Sequence, residues 1–331
     1  MSERVNNKKL ISNLQDKIAA ALRPLIGTGP VALVDFPDHS NVGDSAIWLG
    51  EISYLRTQLS INPSYCCSLR SYSPDALSNQ APDGPILIHG GGNFGTIWKN
   101  HHDFFLGLLD RYQDRSIIQL PQSIFFDSEA ASDPTARAIE KHGAFTLLVR
   151  DQKSYDFAVR KFQCPVQLCP DMAFFIGASD KSKSDVDFLC LMRSDKEKVD
   201  NMEIPATAEK TIAVDWLDEA GQNLRLTRWM GSLNGLIRGQ GTVAGSFNAV
   251  ALNRYQRGVA MLSRGKVVIT DRLHAHIMST LLDIPHVALD NSYGKIGGFI
   301  DAWTHGYAGL RRATTVDEAF VQGRALLAQS A

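Results

Sequence analysis

Short apolar segments alternate with amphipathic helical patterns along this 331-residue chain, and the alternation limits the folds that it can adopt. Apolar runs typical of buried strands lie at residues 31–36, 86–88, 117–120, 146–149 and 166–169. A second series follows at residues 188–192, 211–215, 267–270 and 287–289. Helical patterns separate most of these runs, so the sequence predicts parallel sheets with helices on both faces.

A polar stretch at residues 178–185 separates the two series and has little apolar surface to bury. We therefore predict an N-terminal helical segment at 1–30, a first domain at 31–178 and a second domain at 186–331. Each domain is expected to be a Rossmann-like, doubly wound α/β unit, and the two domains to face each other across a cleft. Ligands of such sheets lie beyond the carboxyl ends of the strands, so the loops after strands should carry the chemistry.

Residues 8–26 have an amphipathic helical pattern, with Lys8, Lys9, Lys17 and Arg23 lying between the apolar positions. Packing on the first domain is the favoured interpretation. Docking on a membrane surface is the alternative, because the polar face of the helix is basic.

The balance of 34 basic against 35 acidic residues removes any general basic field that would grip nucleic acid or an anionic membrane. The five cysteines lack the paired spacing and histidine partners of a zinc site, and we expect no metal site. His101 and His102 are expected to be solvated on a polar turn. The sequence has neither an apolar run that could span a bilayer nor the apolar core of a signal peptide, so a cytoplasmic protein is expected.

The apolar run at residues 86–88 leads directly into consecutive glycines, where Gly91, Gly92 and Asn93 are candidates for binding an anion. A tight turn between strand and helix is the alternative interpretation. The glycines also match a dinucleotide-binding pattern. The next strand ends at Gln122 and Ser123 without a carboxylate for a ribose, so a nicotinamide cofactor is not expected.

Arginines follow three predicted strands: Arg150, Arg193 and Arg272, the last followed closely by His274. Arginine offers a fixed fork of donors for phosphate or carboxylate, and histidine titrates near neutral pH. Together they predict one anion-binding floor, although each arginine alone is more typical of a structural ion pair. His276 is expected to pack in the core.

Polar residues follow the first and the last predicted strands as well. Asn41 and Asp44 precede a helix, where Asp44 fits a base or a partner for a sugar hydroxyl, or equally a helix N-cap. After the last strand, Lys295 could complete the charge cluster together with Ser292, whereas Ser292 could instead cap the next helix.

In order along the chain, these segments resemble the polysaccharide pyruvyl transferase family. The motifs are N-x-G-D (Asn41, Gly43, Asp44), GGGN (Gly90 to Asn93), P-Q-S (Pro121, Gln122, Ser123), V-R-D (Val149, Arg150, Asp151), P-D (Pro170, Asp171), D-R-L-H (Asp271 to His274) and D-N-S-Y-G-K (Asp290 to Lys295). Their colinearity from about residue 31 to about residue 296 is far more specific than any one motif.

The resemblance implies a fold similar to the two-domain glycosyltransferase arrangement called GT-B. It also implies phosphoenolpyruvate as the donor, with no other cofactor, and a pyruvate ketal on a sugar of a cell-surface glycan. The acceptor that it suggests is a lipid-linked saccharide at the inner face of the membrane. His274 and Asp44 would then act as acid and base in either order, with Arg272 beside them in the catalytic group. The substrate-binding candidates are Arg150, Arg193, Asn41, Gly91, Gly92, Asn93, Gln122, Ser292 and Lys295.

Two other functions stay open at this level. A sugar-nucleotide glycosyltransferase could use the same two-domain cleft and glycine loop for a diphosphate, because fold alone does not determine function. A non-catalytic glycan- or anion-binding protein could retain the cleft without turnover.

Overall fold

The computed structural model describes residues 5–27, 29–193, 207–217, 219, 223–290 and 295–329. The strands are β1 (Ala32–Val34), β2 (Tyr65–Cys66), β3 (Ile86–Ile88), β4 (Gly91–Gly95), β5 (Ile117–Phe125), β6 (Phe145–Val149), β7 (Val166–Leu168), β8 (Val186–Leu191), β9 (Thr211–Val214), β10 (Gly265–Thr270), β11 (His286–Leu289) and β12 (Leu310–Ala313). The helices are α1 (Asn7–Leu22), α2 (Val42–Gln58), α3 (Pro74–Gln80), α4 (Lys99–Arg111), α5 (Asp133–His142), α6 (Gln152–Lys161), α7 (Leu224–Ile237), α8 (Thr242–Ser263), α9 (Leu273–Leu281), α10 (Lys295–Phe299) and α11 (Val316–Gln329).

Within the described residues, β1 to β7 form one parallel sheet and β8 to β12 form another. The first has the order β2-β1-β3-β5-β6-β7, with β4 paired to β5, and the second has the order β12-β11-β10-β8-β9. The predicted α/β class with parallel sheets is therefore confirmed. The two sheets fall on either side of the polar stretch at residues 178–185.

Both faces of each sheet are buried. Since alternate residues of a strand point to opposite faces, neighbouring residues of one strand join different hydrophobic cores. In β3, Ile86 and Ile88 join the core on the outer face of the first sheet, while Leu87 joins the core between the sheets. In β10, Val268 likewise contributes to the central core and Ile269 to the outer one. One hydrophobic cluster thus joins the two halves of the chain.

Helix α2 lies at the centre of this shared core and packs against α8, α9 and the short 3-10 helix Met172–Ile176. Two glycines allow the close approach. A β-carbon at Gly50 would overlap the carbonyl oxygen of Met172, and a β-carbon at Gly258 of α8 would overlap the side chain of Val42. Larger residues at these positions would force the helices apart.

Helix α1 buries its apolar face, with Leu14, Ile18 and Leu22 at most 1% exposed. It packs against the helix Met172–Ile176 and against α9, which belongs to the second half, and just before it Val5 forms a bridge with Tyr307. The predicted packing on the first domain is therefore present, and the contacts with α9 and Tyr307 extend it to the second half. Docking of the basic polar face on a membrane stays a prediction.

The described helices include none with both the length and the apolar character needed to cross a bilayer.

A chain of hydrogen bonds fixes two buried histidines in the second half. His286 donates from Nδ1 to the carbonyl oxygen of Ile284 at 2.8 Å, so its Nε2 accepts from Nδ1 of His276 at 2.7 Å. The Nε2 of His276 then accepts from the hydroxyl of Thr304 at 2.8 Å. His276 is thus a core residue, as the sequence indicated. Burial lowers the pKa of His286 to about 4 and that of His276 well below its ordinary value.

These lowered pKa values predict acid sensitivity of the fold. Between the ordinary histidine pKa of about 6.5 and about 4, the unfolded chain binds more protons than the native one, so stability falls as the pH is lowered. We expect each of the two histidines to lower the free energy of unfolding by about 2 kcal/mol between about pH 7 and about pH 5, measured by denaturant unfolding. The double variant His276→Leu/His286→Leu should lose most of this dependence, whereas His305→Gln, at an exposed position, should retain it. An equally steep dependence in the double variant would contradict the assignment.

Candidate active site

A cavity of about 380 Å³ opens between the carboxyl ends of the two sheets. The described residues that line it include Asn41, Asp44, Gly92, Asn93, Ser123, Arg150, Arg193, Trp216, Arg272 and His274. They come from the ends of strands in both sheets, as parallel α/β topology requires.

The loop between β1 and α2 contributes the first polar wall. The Asn41 side chain caps α2 by accepting from the backbone N–H of Gly43 at 3.0 Å, and its amide donates to Oδ2 of Asp44 at 2.9 Å. Asp44 is therefore not the cap, and its carboxylate lines the cleft. Burial opposes its charge, but nearby His39, His274, His89 and Arg150 outweigh that effect and lower the pKa of Asp44. Asp44 is thus an anion at neutral pH.

The glycine-rich segment is held from behind by a buried ion pair. Glu51 of α2 accepts from the backbone N–H of Gly90 at 2.8 Å, and its other oxygen lies 2.8 Å from Nδ1 of His89. Burial opposes a charge on His89, but the Glu51 carboxylate outweighs it and raises the pKa of His89. Gly91 has a φ of +126°, a conformation that favours glycine. The pair anchors the segment so that Gly92 and Asn93 face the cavity.

Arg150, Asp171 and His274 meet where the two halves of the chain adjoin. Arg150 donates from Nη1 to Oδ2 of Asp171 at 2.6 Å and from Nε to the hydroxyl of Ser123 at 3.0 Å. The Nε2 atom of His274 lies 3.4 Å from the same Asp171 oxygen. Burial would raise the pKa of Asp171, but His274 and Arg150 hold it well below its usual range. The buried carboxylate therefore balances the positive charge of Arg150 and also lies beside the His274 imidazole.

Arg272 and Arg193 form the opposite wall, at the ends of β10 and β8. The Arg272 guanidinium donates to Oδ1 of Asp215 at 3.2 Å and lies over the ring of Trp216, 5.9 Å from its centroid. The backbone N–H of Arg193 donates to Asp271 at 2.8 Å. With Arg150, three arginines from both sheets line one cavity, as the sequence predicted.

One glycine sets the distance between the two walls. A β-carbon at Gly43 would overlap the imidazole of His274, at Cγ and Nδ1. The first turn of α2 thus lies directly against the ring. This contact gives a physical reason for glycine in the N-x-G-D motif.

The structure brings together eight predicted site residues, Asn41, Asp44, Gly92, Asn93, Arg150, Arg193, Arg272 and His274. Gln122 has a different place: it is buried, accepts from the backbone N–H of Asn93 at 3.1 Å and donates to the carbonyl oxygen of His89 at 3.0 Å. Gly91 supports the loop beside the Asp44 carboxylate. In this structure both residues support the loop, and their substrate contacts stay predictions. Ser292 and the side chain of Lys295 lie outside the described residues.

Several lining residues escaped the sequence-based reasoning. Trp98 and His101 line the cavity from the start of α4, and Nδ1 of His101 lies 2.9 Å from the Asp35 carboxylate. His102 is buried and accepts from the backbone N–H of Gly95 at 3.2 Å. The expected solvated histidine pair on a polar turn is therefore wrong. The amphipathic helical pattern of this segment could have indicated the difference, because adjacent residues of a helix point in different directions. His101 and His102 therefore cannot both face the solvent in the same way.

Within the described ranges, no cluster of three or more histidine, cysteine, aspartate or glutamate side chains is arranged to hold a metal ion.

Residues 41–293 match the family model for polysaccharide pyruvyl transferase. The chain belongs to this family. It is 33% identical to Pyruvyl transferase 1 of Schizosaccharomyces pombe over 297 residues, which cover 85% of this chain and 71% of the relative. It is 27% identical to EpsO of Bacillus subtilis, whose name provisionally marks it as a pyruvyl transferase, across 93% of this chain and 95% of the relative.

The fold has a counterpart among solved structures. An uncharacterized protein of Klebsiella pneumoniae aligns with a TM-score of 0.60 and 18% identity, covering 92% of this chain and 99% of that one. At this identity, the likeness concerns the fold alone.

The contact between Gly43 and His274 predicts a strong energetic coupling in this pyruvyl transferase family member. Gly43→Ala should lower the free energy of unfolding by about 1–3 kcal/mol, because the new methyl group overlaps the imidazole. In a His274→Ala background the same change should cost much less, since the ring is gone. Denaturant unfolding of the wild type, both single variants and the double variant measures the coupling. Additive effects of the two substitutions would show that no such overlap exists.

Proposed function

We propose that this chain transfers the enolpyruvyl group of phosphoenolpyruvate to a saccharide and closes it into a pyruvate ketal, with release of phosphate. The observation that carries the proposal is the convergence of Arg150, Arg193 and Arg272 with His274 and Asp44 around one cavity. The donor has a phosphate and a carboxylate, and arginine binds both groups with paired hydrogen bonds. Membership of the family and the names of its relatives support the same reaction.

The proposed chemistry begins with protonation of the methylene carbon, which leaves an oxocarbenium-like centre at the neighbouring carbon. One sugar hydroxyl attacks that centre, phosphate departs, and a second hydroxyl closes the ring. Of the two hydroxyl protons, one balances the proton added to the methyl carbon and the other leaves with phosphate.

We assign the proton donor to His274 and the base to Asp44. The lowered pKa of Asp44 leaves its carboxylate ionised, and so able to accept a proton, at neutral pH. Nε2 of His274 lies 3.4 Å from Asp171 and 3.4 Å from Nη1 of Arg150, so the carboxylate would offset the repulsion from the arginine while the ring carries the proton that it donates. Arg150 and Arg272 would hold the donor's anionic groups, and no resident cofactor is required.

Several finer points belong to the same proposal. The cavity between two parallel sheets supports a GT-B-like arrangement of domains at 31–178 and 186–331, with residues 1–30 as an N-terminal segment. The proposed acceptor is a lipid-linked saccharide for an exopolysaccharide or cell-surface glycan, modified by a cytoplasmic enzyme at the inner face of the membrane.

Isothermal titration of phosphoenolpyruvate into the purified protein tests the donor without knowledge of the acceptor. We expect saturable binding that is at least about tenfold weaker in Arg272→Ala, because a hydrogen bond to a charged group contributes about 1.5–3 kcal/mol. Arg264→Ala is the matched control. Arg264 precedes the other end of β10 and pairs with Asp185 on the surface at 3.1 Å, so binding should not change.

A second measurement distinguishes the other functions. With a saccharide acceptor present, His274→Gln should still bind phosphoenolpyruvate but should no longer release phosphate. Donor binding without phosphate release by the wild type would indicate a binding protein. Absence of donor binding together with turnover of a sugar nucleotide would indicate a glycosyltransferase.

A further inference from the structure

Helix α7 has an apolar face that no described part of the chain covers. Large hydrophobic residues recur at helical spacing along it, and Trp229 and Ile237 are 65% and 73% exposed. The same face also exposes Leu226, Met230, Leu233 and Leu236, and Val243 extends it beyond the following turn. Isolated exposed apolar residues are ordinary on a protein surface, whereas a contiguous face of this kind marks an interaction site.

The face is held firmly by the helix behind it. On the inner side of α7, Gly231 and Gly235 lie against α8, where β-carbons would overlap Ala249 and the backbone of Gly241 and Gly245. The two helices therefore pack with their backbones in close contact. Because the small residues face inward, the large apolar side chains of α7 point outward.

Arginines flank this face. Arg225 and Arg238 are exposed at the two ends of α7, and Arg228 pairs with Asp38 at 2.5 Å. Helix α7 itself, Leu224–Ile237, contains no aspartate or glutamate.

We propose that the outer face of α7, together with Val243, docks on an anionic phospholipid bilayer. Tryptophan and leucine on one side with arginines at the edges are the composition of helices that lie in the membrane interface. The arginines complement anionic headgroups, whereas a second copy placed on this face would bring the same positive charges together.

Docking through α7 rests on the proposed function, because it would explain how a lipid-linked acceptor reaches the site. The docking itself can be measured without turnover. Asp38, the partner of Arg228, directly precedes His39 and Ser40, which line the cavity. A bilayer in contact with α7 would therefore lie close to the cleft. A lipid-linked acceptor could then reach the site while its lipid stays in the membrane.

Flotation of the full chain with lipid vesicles tests the inference. We expect binding to vesicles of phosphatidylcholine mixed with phosphatidylglycerol, weakening as salt is raised, and little binding to phosphatidylcholine alone. The variant Trp229→Ser/Leu233→Ser/Ile237→Ser should bind the anionic vesicles at least about tenfold more weakly. Arg225→Gln/Arg238→Gln should also weaken that binding.

Two controls keep the test specific to α7. Val321→Ser removes an apolar residue that is 60% exposed on α11, and Lys9→Gln/Lys17→Gln removes exposed charges from α1. Both should bind vesicles like the wild type. Thermal unfolding of each variant verifies that its fold is retained.

Absence of wild-type binding, or equal binding by the α7 triple variant, would overturn the inference. A wild-type dimer in sedimentation that the triple variant loses, without vesicle binding, would assign the face to a second copy instead. Titration of phosphoenolpyruvate into the same preparations separates the two proposals. Donor binding without vesicle binding would overturn only the proposed docking of α7. Vesicle binding without donor binding would overturn only the proposal that phosphoenolpyruvate is the donor.

Discussion

The close packing of α2 between the two sheets is the constraint on which the remaining structure depends. At Gly43 the helix approaches the His274 ring, and at Gly50 it approaches the backbone of Met172. Directly after Gly50, Glu51 extends toward the first sheet and anchors the glycine-rich segment through Gly90. One helix therefore determines the spacing of the cleft, the position of its histidine and the position of its backbone loop.

Balanced charge explains how a nearly neutral protein can line a cavity with arginines. Two of the arginines that line the cavity have an acidic partner, Asp171 beside Arg150 and Asp215 beside Arg272. Asp171 is buried and bonded from two directions, so it fixes geometry as well as charge. Asp215 is more exposed than Asp171, although the side chains of Arg272 and Arg150 are equally buried.

Much of the fold and part of the site could be predicted from the sequence. Apolar strands such as Ile86–Ile88 are evident because a strand buried on both faces must be apolar throughout. The arginines and His274 could be placed because strand ends in a parallel sheet meet at one edge. Asp171 was not assigned a role, and the hydrogen bonds of Gln122 to the glycine-rich loop were not foreseen, since these contacts depend on side-chain positions across distant segments. The strand β4 was missed because its sequence is rich in glycine, and β12 because its centre is Arg311-Arg312.

For the amphipathic helices too, the sequence predicts the helix better than it predicts the surface that the helix packs against. The apolar stripe of α1 could be recognised and its packing on the first domain was expected, but its contact with α9 of the second half was not. Helix α7 was missed, although its apolar residues have helical spacing, because its glycines weaken a helical pattern. Gly231 and Gly235 allow the close packing of α7 against α8, which is evident only in the structure.

The Asp171 carboxylate has a consequence for how the two halves behave as one unit. Arg150 comes from the first sheet, His274 follows a strand of the second, and Asp171 lies on the segment that connects them. Each half therefore contributes one paired arginine, and His274 of the second half meets the Arg150–Asp171 pair of the first. A dianionic ligand held by Arg150 on one side and Arg272 on the other would act as a clamp across the junction. Its binding free energy would then add to the cohesion of the two halves, so the occupied protein would resist separation of its halves more than the empty one.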